Sequence, residues 1–156
     1  MDIGRLGAEW SPVDCEDGAF ALCDTLKSVT FANDAILYYI GANAVYQCYR
    51  LTDIQLPNSM RIIAEHAFYD CTRLSNFAVP SHVVFIGEDA FANSPWYDTF
   101  KKEEFIVLGD GILYSYTGNS SQITIPEGIK RIPSFSFYNN NTFGISSNAG
   151  ETSSET

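Results

Sequence analysis

The sequence is short of positive charge. Its 156 residues carry 9 lysines and arginines against 19 aspartates and glutamates, a formal net charge of −10. Such a chain repels phosphate backbones and anionic lipid surfaces, so neither nucleic acid nor an anionic membrane is an expected partner. Histidine is also scarce, with only His66 and His82. Glu65-His66 lacks the second histidine of a zinc-protease helix, and neither histidine has a visible nucleophile partner; Ser81 beside His82 is a sequence neighbour only. The four cysteines contain no Cys-x-x-Cys spacing, and Gly109-Asp110-Gly111 lacks the Gly-x-x-x-x-Gly-Lys of a phosphate loop. The expectation is therefore no catalytic residues, no metal ligands and no cofactor. No stretch approaches about 18 consecutive apolar residues, so none reads as a membrane-spanning helix. The opening MDIGRLGAEWSPVDCEDGAF has neither a basic leader nor a continuous apolar run, so it does not read as a secretory signal. That suits an intracellular protein and equally a trimmed piece of a longer one.

Apolar material is plentiful. Hydrophobic residues make up 46% of the chain and aromatics 14%, enough for the core of one domain, while charged residues reach only 18%. This material is arranged periodically. AFALC (19–23), AVYQC (44–48), AFYDC (67–71) and AFANS (90–94) are near-copies of one another, spaced by 25, 23 and 23 residues. A fixed period of this size indicates stacked repeat units. Leu26, Leu51 and Leu74 follow each alanine by seven residues. Then come Val29, Ile54 and Phe77, and two positions on, Phe31, Leu56 and Val79. That alternation predicts a short strand with one buried face, ended by Pro57 and Pro80. A second apolar pair follows (Leu37/Ile40, Met60/Ile63, Val83/Ile86), then Gly41, Ala64 or Gly87, suited to a turn. Ala-Phe-x-x-Cys is read as a short helical or 3₁₀ turn pointing its Ala, Phe and Cys into the stack. Cys15 falls in the isoleucine column, so the chain opens partway through a unit.

ITIPEGIKRIPSFSF carries the pattern on, with Ile123, Ile125 and Pro126 in the strand columns, Ile129 and Ile132 in the second pair and Ser136-Phe137 for Ala-Phe. In between, SPWYDTFKKEEF predicts a short helix with Pro95 near its start. FIVLGDGILYSYTGN predicts a hairpin whose apolar side packs on the repeats. The expected organisation is a leucine-rich-repeat solenoid over 1–138, β-rich with short parallel strands. Its repeats start near 19, 44, 67, 90 and 113, and a helix-hairpin insertion spans about 95–121. The polar tail, 139–156, reads as disordered. Repeat arrays need a polar cap, and none follows Phe137, so a longer natural protein or pairing at that end is expected.

These columns resemble the BspA-type leucine-rich repeats, which AFYDCTRLSNFAVPSHVVFIGEDAF matches along its length. SPWYDTFKKEEFIVLGDGILYSYTGNSSQITIPEGIKRI is similar to an insert recurring in bacterial members. Val45 for Phe, Ser94 for Cys and Ala64 for Gly are the departures. The resemblance implies a secreted or surface-exposed protein of bacteria or some protozoa, associated with adhesion to host or partner molecules and often one module of a longer chain.

Candidate binding residues lie between the apolar columns. Ser28, Asp53, Asn76 and Gln122 form one outward row, and Thr30, Gln55, Ala78 and Thr124 a second. Small and amide side chains on a repeat face suit a peptide or sugar; the competing reading is that strand exteriors are polar in any case. Tyr39, Ile62 and Phe85 share a further column, flanked by Tyr38, Arg61, Val84 and Lys130. An exposed apolar stripe marks a binding surface, but covering by the hairpin, or burial by a local bulge that turns the side chains inward, is the favoured expectation. Cys23, Cys48 and Cys71 share a column whose side chains point the same way, which suits a reduced core ladder better than a disulfide. Asn119-Ser120-Ser121 and Asn140-Asn141-Thr142 fit the glycosylation pattern, relevant only in a eukaryotic secretory pathway. The expected function is non-catalytic binding of a protein or glycan, with structural assembly through the open ends as the alternative.

Overall fold

The computed structural model describes residues 18–138. Cys15, the tail from 139 to 156 and the Asn140 glycosylation pattern lie outside the described residues. The first two repeats each contribute two short strands and the third a bridging residue and one strand, and those of successive repeats stack in parallel. β1 (Ser28–Val29) pairs with β3 (Asp53–Ile54), and a bridge from Asp53 to Asn76 extends this ladder by one repeat. β2 (Tyr39–Ile40), β4 (Ile62–Ile63) and β5 (Phe85–Ile86) form a second ladder in the order β2-β4-β5. The first ladder is the strand expected from the alternation. The second adds a correction, because the second apolar pair is itself strand.

Between them runs the Ala-Phe-x-x-Cys segment. No helix forms, and the 3₁₀ alternative survives only as single turns, with the Tyr46 N–H donating to Asn43 O and the Tyr69 N–H to His66 O at 3.1 Å. The segment is a run of turns with two residues in the left-handed region in each of the second, third and fourth repeats, and one in the described part of the first. Asn43, His66 and Asp89 have φ of 56°, 52° and 50°, and Leu22, Gln47, Asp70 and Asn93 have φ of 59°, 54°, 59° and 60°. The physical reason lies in where the N–H groups go. A helix returns each N–H to its own chain four residues back. Here alternate N–H groups donate to the next repeat: Asn43 to Glu65 O, Val45 to Ala67 O and Gln47 to Tyr69 O, then His66 to Glu88 O, Phe68 to Ala90 O and Asp70 to Ala92 O, at 2.7–3.2 Å. Left-handed residues turn the N–H groups outward along the stack.

After Asn76 the first ladder stops. Helix α1 (Pro95–Asp98) takes the next place, and its Trp96 N–H donates to Leu74 O at 2.9 Å. Ser94 caps it by accepting from the Tyr97 N–H, with Pro95 at the first turn as the sequence predicts. β6 (Phe105–Leu108) and β7 (Ile112–Tyr116) then form the expected antiparallel hairpin, turning at Gly109 and Gly111 with φ of 54° and 70°. Its second strand is more than an insertion. Ile112 bridges Arg131 in parallel, and the Tyr116 N–H donates to Ser136 O, as Phe68 does to Ala90 O one repeat type earlier. β7 therefore occupies a repeat position of its own.

The core follows the columns. Ala44, Ala67 and Ala90, Cys48 and Cys71, Leu51 and Leu74, and Ile40, Ile63 and Ile86 are all buried. Phe68 and Phe91 stack at 5.7 Å, and Trp96 meets Phe77 and Phe91 edge-on at 4.8 and 5.0 Å. No described helix is long and apolar enough to cross a membrane.

Candidate functional site

Strand pairing sets Ser28 directly opposite Asp53 and Asp53 opposite Asn76, so three of the four residues in the first outward row stand side by side. The pleat puts Ile54 and Phe77 into the core and leaves Thr30, Gln55 and Ala78 exposed as the second row. Gln55 and Asn76 go further. With Leu56, Asn58, Phe77 and Pro80 they line a half-open groove of about 240 Å³. Beside it, Asp53 Oδ1 is buried and accepts no hydrogen bond among the described residues.

The structure does not extend the row to Gln122 and Thr124. Both are exposed and lie outside any strand or bridge. Gln122 is held instead in a local turn, where Ser120 Oγ donates to Gln122 O at 2.6 Å and accepts from the Gln122 N–H at 3.3 Å. The ladder has already ended by then, since after Asn76 it is α1 that follows, with the Trp96 N–H donating to Leu74 O.

Tyr39, Ile62 and Phe85 are in register across β2, β4 and β5. Tyr39 and Ile62 are half-buried, and Phe85 is 46% exposed. The expected covering is thus incomplete, because β7 continues the stack rather than lying over the stripe. Of the neighbouring column, Tyr38 is exposed and Arg61 turns back to donate to the carbonyls of Asn58, Ser59 and Met60.

Cys23, Cys48 and Cys71 are free thiols. Cys48 Sγ donates to Phe20 O at 2.9 Å and Cys71 Sγ to Val45 O at 3.1 Å, so each thiol ties its repeat to the one before. Burial pushes the Cys48 thiol up from 9.0 to about 11 and the Cys71 thiol to about 12. In the unfolded chain both ionise near 9.0, while in the fold they keep their protons. Stability contributed by these thiols is fully present below that value and is lost as pH rises toward 11 and 12. Urea midpoints should therefore fall above pH ~9, and less steeply in a Cys48→Ala, Cys71→Ala double variant. Equal slopes in the two proteins would remove the thiols from the account.

His66 packs edge-on against Tyr69 at 5.3 Å, and Tyr69 stacks on Tyr46 at 5.4 Å. His82 is exposed, with Nδ1 3.5 Å from Ser81 Oγ, too long for a strong hydrogen bond and without a third group to orient it. Among the described residues no three His, Cys, Asp or Glu side chains gather as a metal site.

Comparison with solved structures finds leucine-rich-repeat proteins. One from Eubacterium ventriosum is 25% identical over 46% of this chain and 19% of its own, with a TM-score of 0.43. One from Bacteroides ovatus is 23% identical over 74% and 24%, with a TM-score of 0.47. A leucine rich cell surface protein from Faecalibacterium prausnitzii is 26% identical over 76% and 34%, with a TM-score of 0.48. The chain thus spans about a third or less of the length of these proteins. No curated protein matches it. Residues 13–115 and 107–154 match the BspA type Leucine rich repeat region in 6 copies. With stacked parallel strands set by the same columns, the chain belongs to the BspA-type leucine-rich-repeat family.

Proposed function

We propose that this chain is a non-catalytic binding module, a leucine-rich-repeat solenoid of a secreted or cell-surface protein that recognises a protein or glycan, host-derived ligands included, through its strand face. The observation that carries this reading is the register of Ser28, Asp53 and Asn76 beside a groove lined by Gln55 and Asn76. The amides of Gln55 and Asn76 offer both donors and acceptors, which suits the hydroxyls of a sugar or the backbone of a peptide. Phe77 and Leu56 add apolar floor. Family membership supports the surface location and the adhesive role. A rigid stack of repeats loses little entropy on binding, so several weak contacts add up. The test is a binding screen against glycans and extracellular-matrix proteins, repeated with an Asp53→Ala, Gln55→Ala, Asn76→Ala variant. The expected result is a saturable hit weakened at least about tenfold by the three changes, with the far-UV spectrum unaltered. An unchanged affinity removes the strand face from the site.

A second reading, assembly through an end of the stack, has one observation in its favour. Ile132 is 50% exposed where its column partners Ile40, Ile63 and Ile86 are buried, and Ile125 is 38% exposed. Sedimentation at rising concentration, run beside the binding screen, separates the two.

A further inference from the structure

The turns of successive repeats donate N–H groups toward the following repeat, until the fourth. At Asp89 and Asn93 the corresponding N–H groups have no backbone acceptor among the described residues, although His66 and Asn43, and Asp70, Gln47 and Leu22, all have one. The reason is that the next repeat skips its turn. β7 runs straight from Ile112 to Tyr116 where earlier repeats bend through two left-handed residues. The Tyr114 hydroxyl stands in at one place, hydrogen-bonded to the backbone at Phe91 and Ala90. The remaining space is a pocket of about 170 Å³, walled by Tyr97, Tyr114, Phe135 and Tyr138 and edged by Glu88 and Asp89.

We propose that this pocket receives the side chain of a lysine or arginine presented by a partner protein. Three observations converge. First, four aromatic and two acidic residues line it and no basic residue does. The described ion pairs lie elsewhere, Lys101 with Asp98 and Lys130 with Asp110. A cation over aromatic faces gains from the ring quadrupoles, and more so when water is excluded. Second, the negative field is felt inside. Burial first, and then the Asp89 carboxylate among other groups, hold the Tyr97 and Tyr114 hydroxyls above their usual range. Third, Asp89 lines the cavity, and among the described residues its N–H and that of Asn93 lack the carbonyl that the next repeat supplies to the corresponding N–H groups of earlier turns. The backbone of an extended partner segment supplies such carbonyls, and a free amine does not. The chain's net charge of −10 steers a basic segment toward it. The pocket lies away from the Gln55–Asn76 groove, and the inference does not rest on that reading.

The test is amide-resolved NMR on the isotopically labelled chain. It is titrated with a glycine-flanked peptide bearing one arginine, its lysine and glutamine analogues, and butylguanidinium, which keeps the charged group and has no carbonyl. Expected are saturable shifts at Asp89, Asn93 and Ser115, and at least about tenfold tighter binding of the arginine and lysine peptides than of the glutamine one. A Glu88→Gln, Asp89→Asn variant should lose that advantage, since Asn keeps the left-handed backbone at 89 while removing the charge. Tyr138→Ala, a change at a residue 72% exposed and so harmless to folding, should weaken binding a few-fold. Asp53→Ala, Gln55→Ala, Asn76→Ala should leave it unchanged. Equal binding of the glutamine peptide, shifts confined to other surfaces, or no saturation with any probe overturns the proposal. So does butylguanidinium binding as tightly as the peptide, which makes the pocket a site for small cations.

Discussion

Replacing Trp96 by alanine should cost about 3–5 kcal/mol, the range for deleting a large buried aromatic. Trp96 is 9% exposed and sits at a junction of three segments. Its ring meets Phe77 from the last strand-ladder repeat at 4.8 Å, Phe91 from the fourth turn at 5.0 Å and Phe100 from the segment after α1 at 5.1 Å, all edge-to-face. Such geometry adds about 0.5–1.5 kcal/mol per pair beyond the area buried. Its N–H on the backbone also carries the contact to Leu74 O that replaces the missing strand. The substitution keeps that N–H, so the loss reports the side chain. Urea unfolding should show a lower midpoint with an unchanged slope. A cost under about 1 kcal/mol would mean that the aromatic junction does not lock α1 to the repeats. A lowered slope would mean that the helix and hairpin come away before the repeats unfold.

The periodic part of this junction was legible in the sequence because burial recurs where the letters recur. Ala67, Phe68, Cys71, Leu74 and Ile63 are fully buried, as their columns require. What the letters did not convey is how the backbone satisfies its hydrogen bonds. Ala-Phe-x-x-Cys has the spacing of one helical turn, and in isolation a helix would serve it. The stack offers each turn a neighbour's carbonyls, and that option selects left-handed residues instead. Asn43, His66, Asp70, Asp89 and Asn93 are types that tolerate this region, a signal present but ambiguous with ordinary turn preference. Leu22 and Gln47 carry no such signal, and the stack imposes the conformation on them.

The candidate sites show the same division. Ser28, Asp53 and Asn76 were readable as a row because parallel register follows from equal spacing. Gln122 and Thr124 shared the letters of that row but not its surroundings, since α1, not a strand, follows Asn76 in the stack. Helix and strand compete for the same position, and ITIP alone holds no information on which neighbour it will find. The acidic, aromatic pocket was invisible for the related reason that it is made by something left out. Tyr97 and Tyr114 were legible only as aromatics of an insertion. Their meeting with Glu88 and Asp89 depends on β7 omitting a turn that every earlier repeat makes.

That β7 can stand in the stack at all depends on the hairpin turn, and Gly111→Ala should expose this dependence. Gly111 has φ of 70°, a conformation that costs a residue with a Cβ about 1–2 kcal/mol. A Cβ there would also lie 2.4 Å from Gly128 O, a backbone atom that cannot swing aside. Gly111 O meanwhile accepts from the N–H groups of Lys130 and Arg131, at 2.8 and 3.2 Å, so pushing the strands apart breaks the first contacts between β7 and the last repeat. Overpacking of this kind adds about 1–3 kcal/mol, for an expected total of about 2–5 kcal/mol. Gly128 provides the control. Its φ is 83°, yet a Cβ added there meets nothing within 4 Å. Gly128→Ala should therefore cost only the conformational part, about 1–2 kcal/mol. Chemical denaturation of both variants isolates the difference as the price of closeness between strands. If the two cost the same, then β7 has room to move, and the pocket bounded by Tyr114 is not held open by a rigid stack. If Gly111→Ala alone also broadens the amide signals of Ser115 and Asn93, the hairpin turn is what fixes the shape of that pocket.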